Sequence, residues 1–237
     1  MPVRSARTVR PMTLDSQPVD ISTEGAVTIV RMTNGENRCN PTMIRALNEA
    51  FDAVAASDGP AAIVLTGSGK FFSNGLDLDW MGTVSLNEAS ALVDELHELL
   101  ARILLSPVPI IAALNGHTFA AGAMIALACD YRVMRNDRGY FCLPEADINL
   151  PFSKGMNALI RATLPLGTSR EAMLTGRRYT AREAIESGIV DAIADEADVV
   201  SDAVRRARDV AGKQRSTIEV IKREMFGPVA ELLRQSM

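Results

Sequence analysis

Pro109-Ile-Ile-Ala-Ala-Leu-Asn115-Gly-His-Thr-Phe-Ala-Ala-Gly-Ala-Met124 runs from an apolar stretch through a turn into a segment of small residues. Pro109 to Leu114 carries no polar side chain, the mark of a strand covered on both faces. Asn115-Gly116 predicts a turn, and Ala120 to Cys129 a short buried helix. The wider stretch from Ile103 to Cys129 holds no Asp, Glu, Lys or Arg, which is long enough to raise a membrane span. Pro107, Pro109, Asn115, Gly116 and His117 interrupt it, however. A buried strand, a loop and a buried helix account for it better, so no membrane partner is expected.

The same alternation recurs on either side. Ala26 to Met32 reads as a strand, and Asn40-Pro41 opens a helix with Asn40 as cap and Pro41 in its first turn. Ile44, Leu47, Ala50, Phe51, Val54 and Ala55 follow the helical period until Ser57-Asp-Gly-Pro60 stops it. Ala61 to Thr66 is a second covered strand, Gly67 to Asp79 a loop, Leu86 to Leu105 a helix, and Tyr131 to Met134 a strand. The repeat predicts an α/β fold built on a mainly parallel sheet. Beyond Ser153 the pattern turns helical, with one more strand expected at Gly188 to Ile193. Helices are expected over Asp198 to Gly212 and Thr217 to Arg234, as an appendage suited to assembly.

Composition narrows the function. The chain has 237 residues, 47% hydrophobic, with a formal net charge of −4. It is large enough for a full core and too acidic for the basic face that nucleic acid requires. Cys39, Cys129 and Cys142 are odd in number and lack CxxC spacing, and His97 and His117 are the only histidines. Neither a disulfide framework nor a metal site is expected, and the compartment reads as reducing and cytoplasmic. Residues 1–14 carry Arg4, Arg7 and Arg10 without an acid, a faint transit-peptide character. Pro2 and Pro11 favour a disordered tail, with Met12 an alternative start.

Several chemistries can be set aside. Gly67-Ser-Gly69-Lys70 lacks the residue and spacing of a phosphate loop, and neither GxGxxG nor GxSxG occurs. Neither histidine has a serine or cysteine partner at recognisable spacing, so a nucleophilic triad has no support. Two junctions after covered strands remain, Phe71-Phe-Ser-Asn-Gly-Leu-Asp-Leu78 and Asn115 to Ala123. Open α/β sheets place ligands there, and helix N-termini offer unpaired N–H groups. On composition alone, close helix–sheet packing is the leading account of the small residues. Glu145, in Pro144-Glu-Ala-Asp-Ile-Asn-Leu-Pro151, is either a desolvated acid–base group or a solvated loop carboxylate.

Together these segments resemble the enoyl-CoA hydratase/isomerase (crotonase) superfamily. The matching motifs are Phe72-Ser-Asn-Gly-Leu-Asp-Leu78, the stretch from Pro109 through Asn115-Gly116 to Ala120-Ala-Gly122, and Cys129-Asp-Tyr-Arg-Val-Met134. The resemblance covers roughly residues 24–195. It implies a crotonase-like spiral of ββα units forming two sheets, a core over residues 15–195, and a C-terminal helical region over 196–237 that builds trimers or hexamers. It also implies an acyl-CoA thioester as substrate, no separate cofactor, and a place in fatty-acid metabolism. By position, the oxyanion hole falls on the backbone N–H groups of Leu76 and Ala121. Contacts to CoA or substrate fall on Ser73, Asn74, Asp77, Leu78 and Met124.

Family hydratases use two glutamates. One position is Met124 here, and the other is Glu145. A single carboxylate suits a Δ3,Δ2-enoyl-CoA isomerase, which moves one proton from C2 to C4. A hydratase with an unrecognised second group, or a non-catalytic acyl-CoA binding protein, are the alternatives. Asp147 is a second carboxylate candidate or a cap, and His117 a substrate contact or a loop-surface group. Trp80 and Tyr131 read as core or pocket wall, and Arg205, Arg206, Arg208, Lys213 and Arg215 as a solvated helical face.

Overall fold

The computed structural model describes residues 17–235; the expected disordered tail, residues 1–14, lies outside the described residues. Two strands open the fold, β1 (Val19–Glu24) and β2 (Val27–Met32), an antiparallel hairpin turned at Gly25 with φ +64°. Helix α1 (Pro41–Ala55) follows, with Asn40 Oδ1 accepting the Met43 N–H and Pro41 in the first turn, as the sequence indicates.

Three turns of a spiral come next, each giving one strand to a large sheet and one to a small sheet. The first is β3 (Ala62–Gly67) and β4 (Phe71–Ser73), followed by the one-turn α2 (Leu78–Met81) and the long α3 (Leu86–Leu105). The second is β5 (Ile110–Leu114), β6 (His117–Phe119) and α4 (Ala121–Ala128). The third is β7 (Tyr131–Arg135) and β8 (Phe141–Cys142), ending in a 3₁₀ turn at Pro144–Ala146. Helices α5 (Lys154–Thr163), α6 (Leu166–Thr175) and α7 (Ala181–Glu186) lead to β9 (Ala192–Ala194), and α8 (Val199–Ala211) and α9 (Arg215–Arg234) close the chain.

The large sheet has the order β1-β2-β3-β5-β7-β9, parallel apart from the first hairpin, and the small sheet is β4-β6-β8, all parallel. This is the crotonase fold. Successive turns stack closely because Asn115 accepts the Gly67 N–H at 2.9 Å and Gly116 lies against the Lys70 backbone. Both faces of the central strands are covered, which explains their unbroken apolar runs. Ile63 and Leu65 face α1 and α3, while Ala62 and Val64 pack under α8 through Val199, Ala203, Val204 and Ala207. Helix α9 lies along α3 and α5. Among the described residues no helix is long and apolar enough to cross a membrane.

Some elements differ from expectation. The Gly67–Asp79 loop contains β4 and the start of α2, and β6 and β8 have no counterpart in the sequence reading, since two- or three-residue strands carry no readable period. β1 is exposed at every position after Val19, so its edge has no apolar alternation to detect. The strand expected at Gly188–Ile193 forms instead at Ala192–Ala194. Gly188 is left-handed at φ +69°, and Ile189 and Val190 are buried in the connection before the strand. Tyr131, the first residue of β7, is a pocket-wall residue: 41% exposed, it borders a cavity beside α9, with the Arg206 guanidinium 5.7 Å from its ring.

Candidate active site

Two glycines bring the loop-to-helix junctions together. Gly75 has φ +87°, and a Cβ there would stand 2.9 Å from the Ala120 Cβ and 3.4 Å from Ala121 N. A Cβ on Gly122, in the first turn of α4, would stand 2.6 Å from both the Cβ and the carbonyl oxygen of Ser73. The loop after β4 therefore rests on the N-terminus of α4, and neither position has room for a side chain.

Ala120 is the N-cap of α4 at φ +49° and ψ −121°, with no side-chain cap. Such a conformation in a non-glycine residue stores on the order of 1–3 kcal/mol, held in place by its surroundings. Leu76 and Ala121 both border a cavity of about 350 Å³. Neither of their N–H groups meets an acceptor among the described residues. Ala121 is the first residue of α4, where amide hydrogens lack intrahelical partners and the helix dipole is positive.

The rest of the cavity wall is mostly apolar, with Met81, Val93, Met124, Pro144 and Met156 contributing. Glu145 enters it from the 3₁₀ turn. Asp147 N and Ile148 N donate to the Pro144 carbonyl at 2.9 and 3.1 Å, and Leu150 N donates to the Glu145 carbonyl at 3.0 Å. These bonds fold the loop back and aim the carboxylate inward. Glu145 is 7% exposed, and its Oε2 has no hydrogen-bond partner. Burial pushes its pKa from the ordinary 4.5 up to about 7, opposed only by a backbone N–H. No cation offsets the desolvation, so the proton is poised near neutrality, where a group can both accept and return it. Met124, fully buried one turn into α4, adds a thioether to this wall, at the position where the resemblance to family hydratases implies a second acid. Among the described residues, Glu145 is the one carboxylate on this wall.

The other expected ligand contacts divide. Asn74 and Leu78 border the cavity with Met124, the amide of Asn74 donating to Glu36 Oε2 at 2.9 Å. Ser73 and Asp77 turn their side chains away. Ser73 Oγ donates to the Asn37 carbonyl at 2.7 Å, and Asp77 accepts the Trp80 N–H at 3.2 Å as the cap of α2. Asp147 faces Gly176, where a Cβ would stand 2.8 Å from its Cγ, and it is no part of the cavity. His117 is half-buried on β6 among the rings of Phe71, Phe119 and Tyr140, not on a loop surface. Trp80 packs partly buried against the main core. Arg205 and Arg208 pair with Asp202 and Glu24, and Arg215 reaches the Ala55 and Gly59 carbonyls.

His97 has a serine partner in space that no recognisable spacing announces: its Nε2 lies 3.0 Å from Ser153 Oγ, across 56 residues of chain. The pair joins α3 to the N-cap of α5, and Ser153 borders the cavity. No spacing rule finds such a contact, and the one sequence signal was a histidine on the apolar face of α3. Among the described residues, no group of three His, Cys, Asp or Glu side chains is placed to hold a metal ion.

The family model described as Enoyl-CoA hydratase/isomerase matches residues 22–236. The chain belongs to the enoyl-CoA hydratase/isomerase family. Among its relatives, enoyl-CoA delta isomerase 2, peroxisomal, of Arabidopsis thaliana is 38% identical over 194 residues, spanning 77% of this chain and 80% of that protein. Enoyl-CoA delta isomerase 3 of the same plant is 39% identical over 186 residues, or 76% and 78% of the two chains. In structure, an enoyl-CoA hydratase from Mycobacterium marinum is similar at TM-score 0.85 and 26% identity, covering 92% of this chain and 96% of that one. Human mitochondrial delta3-delta2-enoyl-CoA isomerase has the same fold at TM-score 0.85 and 23% identity, covering 92% and 86%. One family fold thus carries both a hydratase and an isomerase name, so the choice between them rests on the residues of the cavity.

Proposed function

We propose that this protein is a Δ3,Δ2-enoyl-CoA isomerase with Glu145 as its single acid–base group. The observation that carries the reading is a lone, desolvated carboxylate sharing a mostly apolar cavity with two free backbone N–H groups, while Met124 occupies the second acid position. Ionised Glu145 takes a proton from C2 of a 3-enoyl-CoA. The negative charge that develops on the thioester oxygen is met by the N–H groups of Leu76 and Ala121, each such donor typically contributing roughly 3 kcal/mol in the transition state. Protonated Glu145 then returns the proton to C4, and the double bond comes to rest between C2 and C3. Hydration requires a group to deprotonate water and another to protonate carbon, and a thioether supplies neither.

The remaining parts of the reading concern context. The acyl-CoA chain lies along Val93, Met124 and Met156, and Asn74 and Leu78 border its entry. Assembly as a trimer or hexamer through the segment 196–237 is part of this reading, supported by the resemblance to the family and tested by the mass of the protein in solution. The cytoplasmic location rests on three buried free cysteines, whereas the plant relative is named peroxisomal, so cell fractionation decides it. The direct test incubates the protein with a 3-enoyl-CoA and, separately, with crotonyl-CoA. Appearance of the conjugated 2-enoyl thioester without hydration of crotonyl-CoA supports the isomerase. Hydration of crotonyl-CoA, or binding with no turnover of either, removes it.

A further inference from the structure

The outer face of the small sheet carries a charged cluster that the double-bond shift does not use. Side chains alternate across a strand, so the fully buried Phe72, Thr118 and Phe141 point to the core and their neighbours point the other way. There His117 stands 5.3, 5.0 and 5.6 Å from the rings of Phe71, Phe119 and Tyr140. Three cations surround it. Lys70 Nζ lies 5.6 Å from the Phe71 ring, and the Arg178 guanidinium 5.7 Å from the Phe119 ring. Arg138 is brought in by Gly139, where a Cβ would stand 2.7 Å from the Gly116 carbonyl carbon, next to His117. Burial first, and then Lys70, Arg178 and Arg138 with no carboxylate among them, hold the His117 pKa below its ordinary range. None of the three cations forms an ion pair among the described residues. The acids on which Lys70 and Arg138 act are already held, Glu36 by Arg38 and Asp137 by Arg135.

An unneutralised positive cluster on a chain of net charge −4 attracts anions, and ring faces stack on flat bases. The cluster is continuous with the candidate active site, because Phe119 also borders the cavity of Glu145. We propose that this face is the subsite for the nucleotide end of the acyl-CoA: Lys70, Arg138 and Arg178 hold its phosphates, and the partly exposed rings of the cluster carry its base. The inference rests on the acyl-CoA reading of the cavity. Phe119 and His117 are two residues apart on β6, roughly 7 Å. The pantetheine arm, which joins thioester to phosphates, is longer than that. A hollow that includes Asp77 and Asp79, the neighbours of Leu78, repels the same charge. Glu36 adds a third carboxylate there, and Arg38, the one cation of that hollow, is engaged by Glu36 and Asp79 at 2.7 and 2.6 Å.

The test compares two thioesters of the same 3-enoyl chain, one on CoA and one on pantetheine, which lacks the nucleotide. The ratio of their kcat/KM values reads the nucleotide contacts, since a merely structural change lowers both. Lys70→Gln, Arg138→Gln and Arg178→Gln are each expected to lower that ratio about 3-fold, and the triple variant by ~10-fold or more. The differences shrink at high ionic strength. Lys70→Arg keeps the ratio, and so does Arg223→Gln on α9, outside this face. Calorimetric titration with adenosine 3′,5′-bisphosphate, the free nucleotide end, should give the same ordering without turnover. A ratio that is the same in the wild type and the triple variant overturns the proposal. So does inorganic pyrophosphate that binds as tightly as the nucleotide, which leaves only a general anion patch. Should the CoA thioester fail to isomerise, the isomerase reading falls by itself, and the nucleotide affinities of wild type and triple variant decide the subsite.

Discussion

Two cavities in this molecule handle buried charge in opposite ways. The larger, about 520 Å³, lies where α9 crosses the start of β7 and contains Lys222 and Asp130. There Lys222 Nζ reaches the two Asp130 oxygens at 2.7 and 2.8 Å, and Asp130 also accepts the Ile110 N–H at 2.8 Å. Lys222 and Asp130 are matched to each other, and the pair ties the last helix to the large sheet. The smaller cavity contains Glu145, which has no cation and one bare oxygen. Volume would choose the first as the site of chemistry, while satisfaction of charge chooses the second. A matched pair holds elements together, whereas an unmatched carboxylate keeps a proton in play.

Removing each charge in turn sharpens the contrast. Glu145→Gln is expected to lower kcat by about 10²–10⁴-fold, the usual reach of a positioned acid–base group, with acyl-CoA affinity near that of the wild type. Steady-state kinetics together with calorimetric titration check both halves. Lys222→Met in the other cavity should do the reverse. It leaves Asp130 without its cation and costs about 3 kcal/mol of stability in denaturant melts, while kcat/KM stays close to the wild type. Equal loss of activity in both variants would erase the distinction.

The smallest effect concerns pH. Because the folded pKa of Glu145 is raised from 4.5 to about 7, the native state keeps a proton that the unfolded chain has released between those values. Native stability is therefore greatest on the acid side and declines as pH rises through about 7. Glu145→Gln removes that decline, so the variant should be more stable than the wild type by roughly 2–3 kcal/mol at pH 8 and nearly equal at pH 5. Melts at the two pH values decide it. The same raised pKa places the acid limb of the wild-type kcat/KM profile near neutrality.

What could be read in the chain was what local pattern encodes. Helix α3 spans Leu86–Leu105 as its period indicates, with the Ser85 and Glu88 capping box at its start. The strands β3 and β5 follow from apolar runs, and β2 and β7 from short β-rich stretches. Glu145, Leu76, Ala121 and Met124 were singled out only through the resemblance of the ordered motifs to a family, since no period or turn by itself assigns them a role. The strands β4, β6 and β8 were not, since two or three residues acquire strand geometry only from the neighbouring turn of the spiral.

Sequence by itself determined an α/β chain of covered strands, glycines at the two junctions, and a methionine at position 124 with an acid at 145. Tertiary structure alone decided that Glu145 lies unpaired against an apolar wall, that Ser73 and Asp77 turn away from it, and that His97 meets Ser153. The physical reason is distance along the chain. Periodicity and turn chemistry act over a few residues, whereas desolvation and hydrogen-bond pairing depend on groups brought together from tens of residues apart.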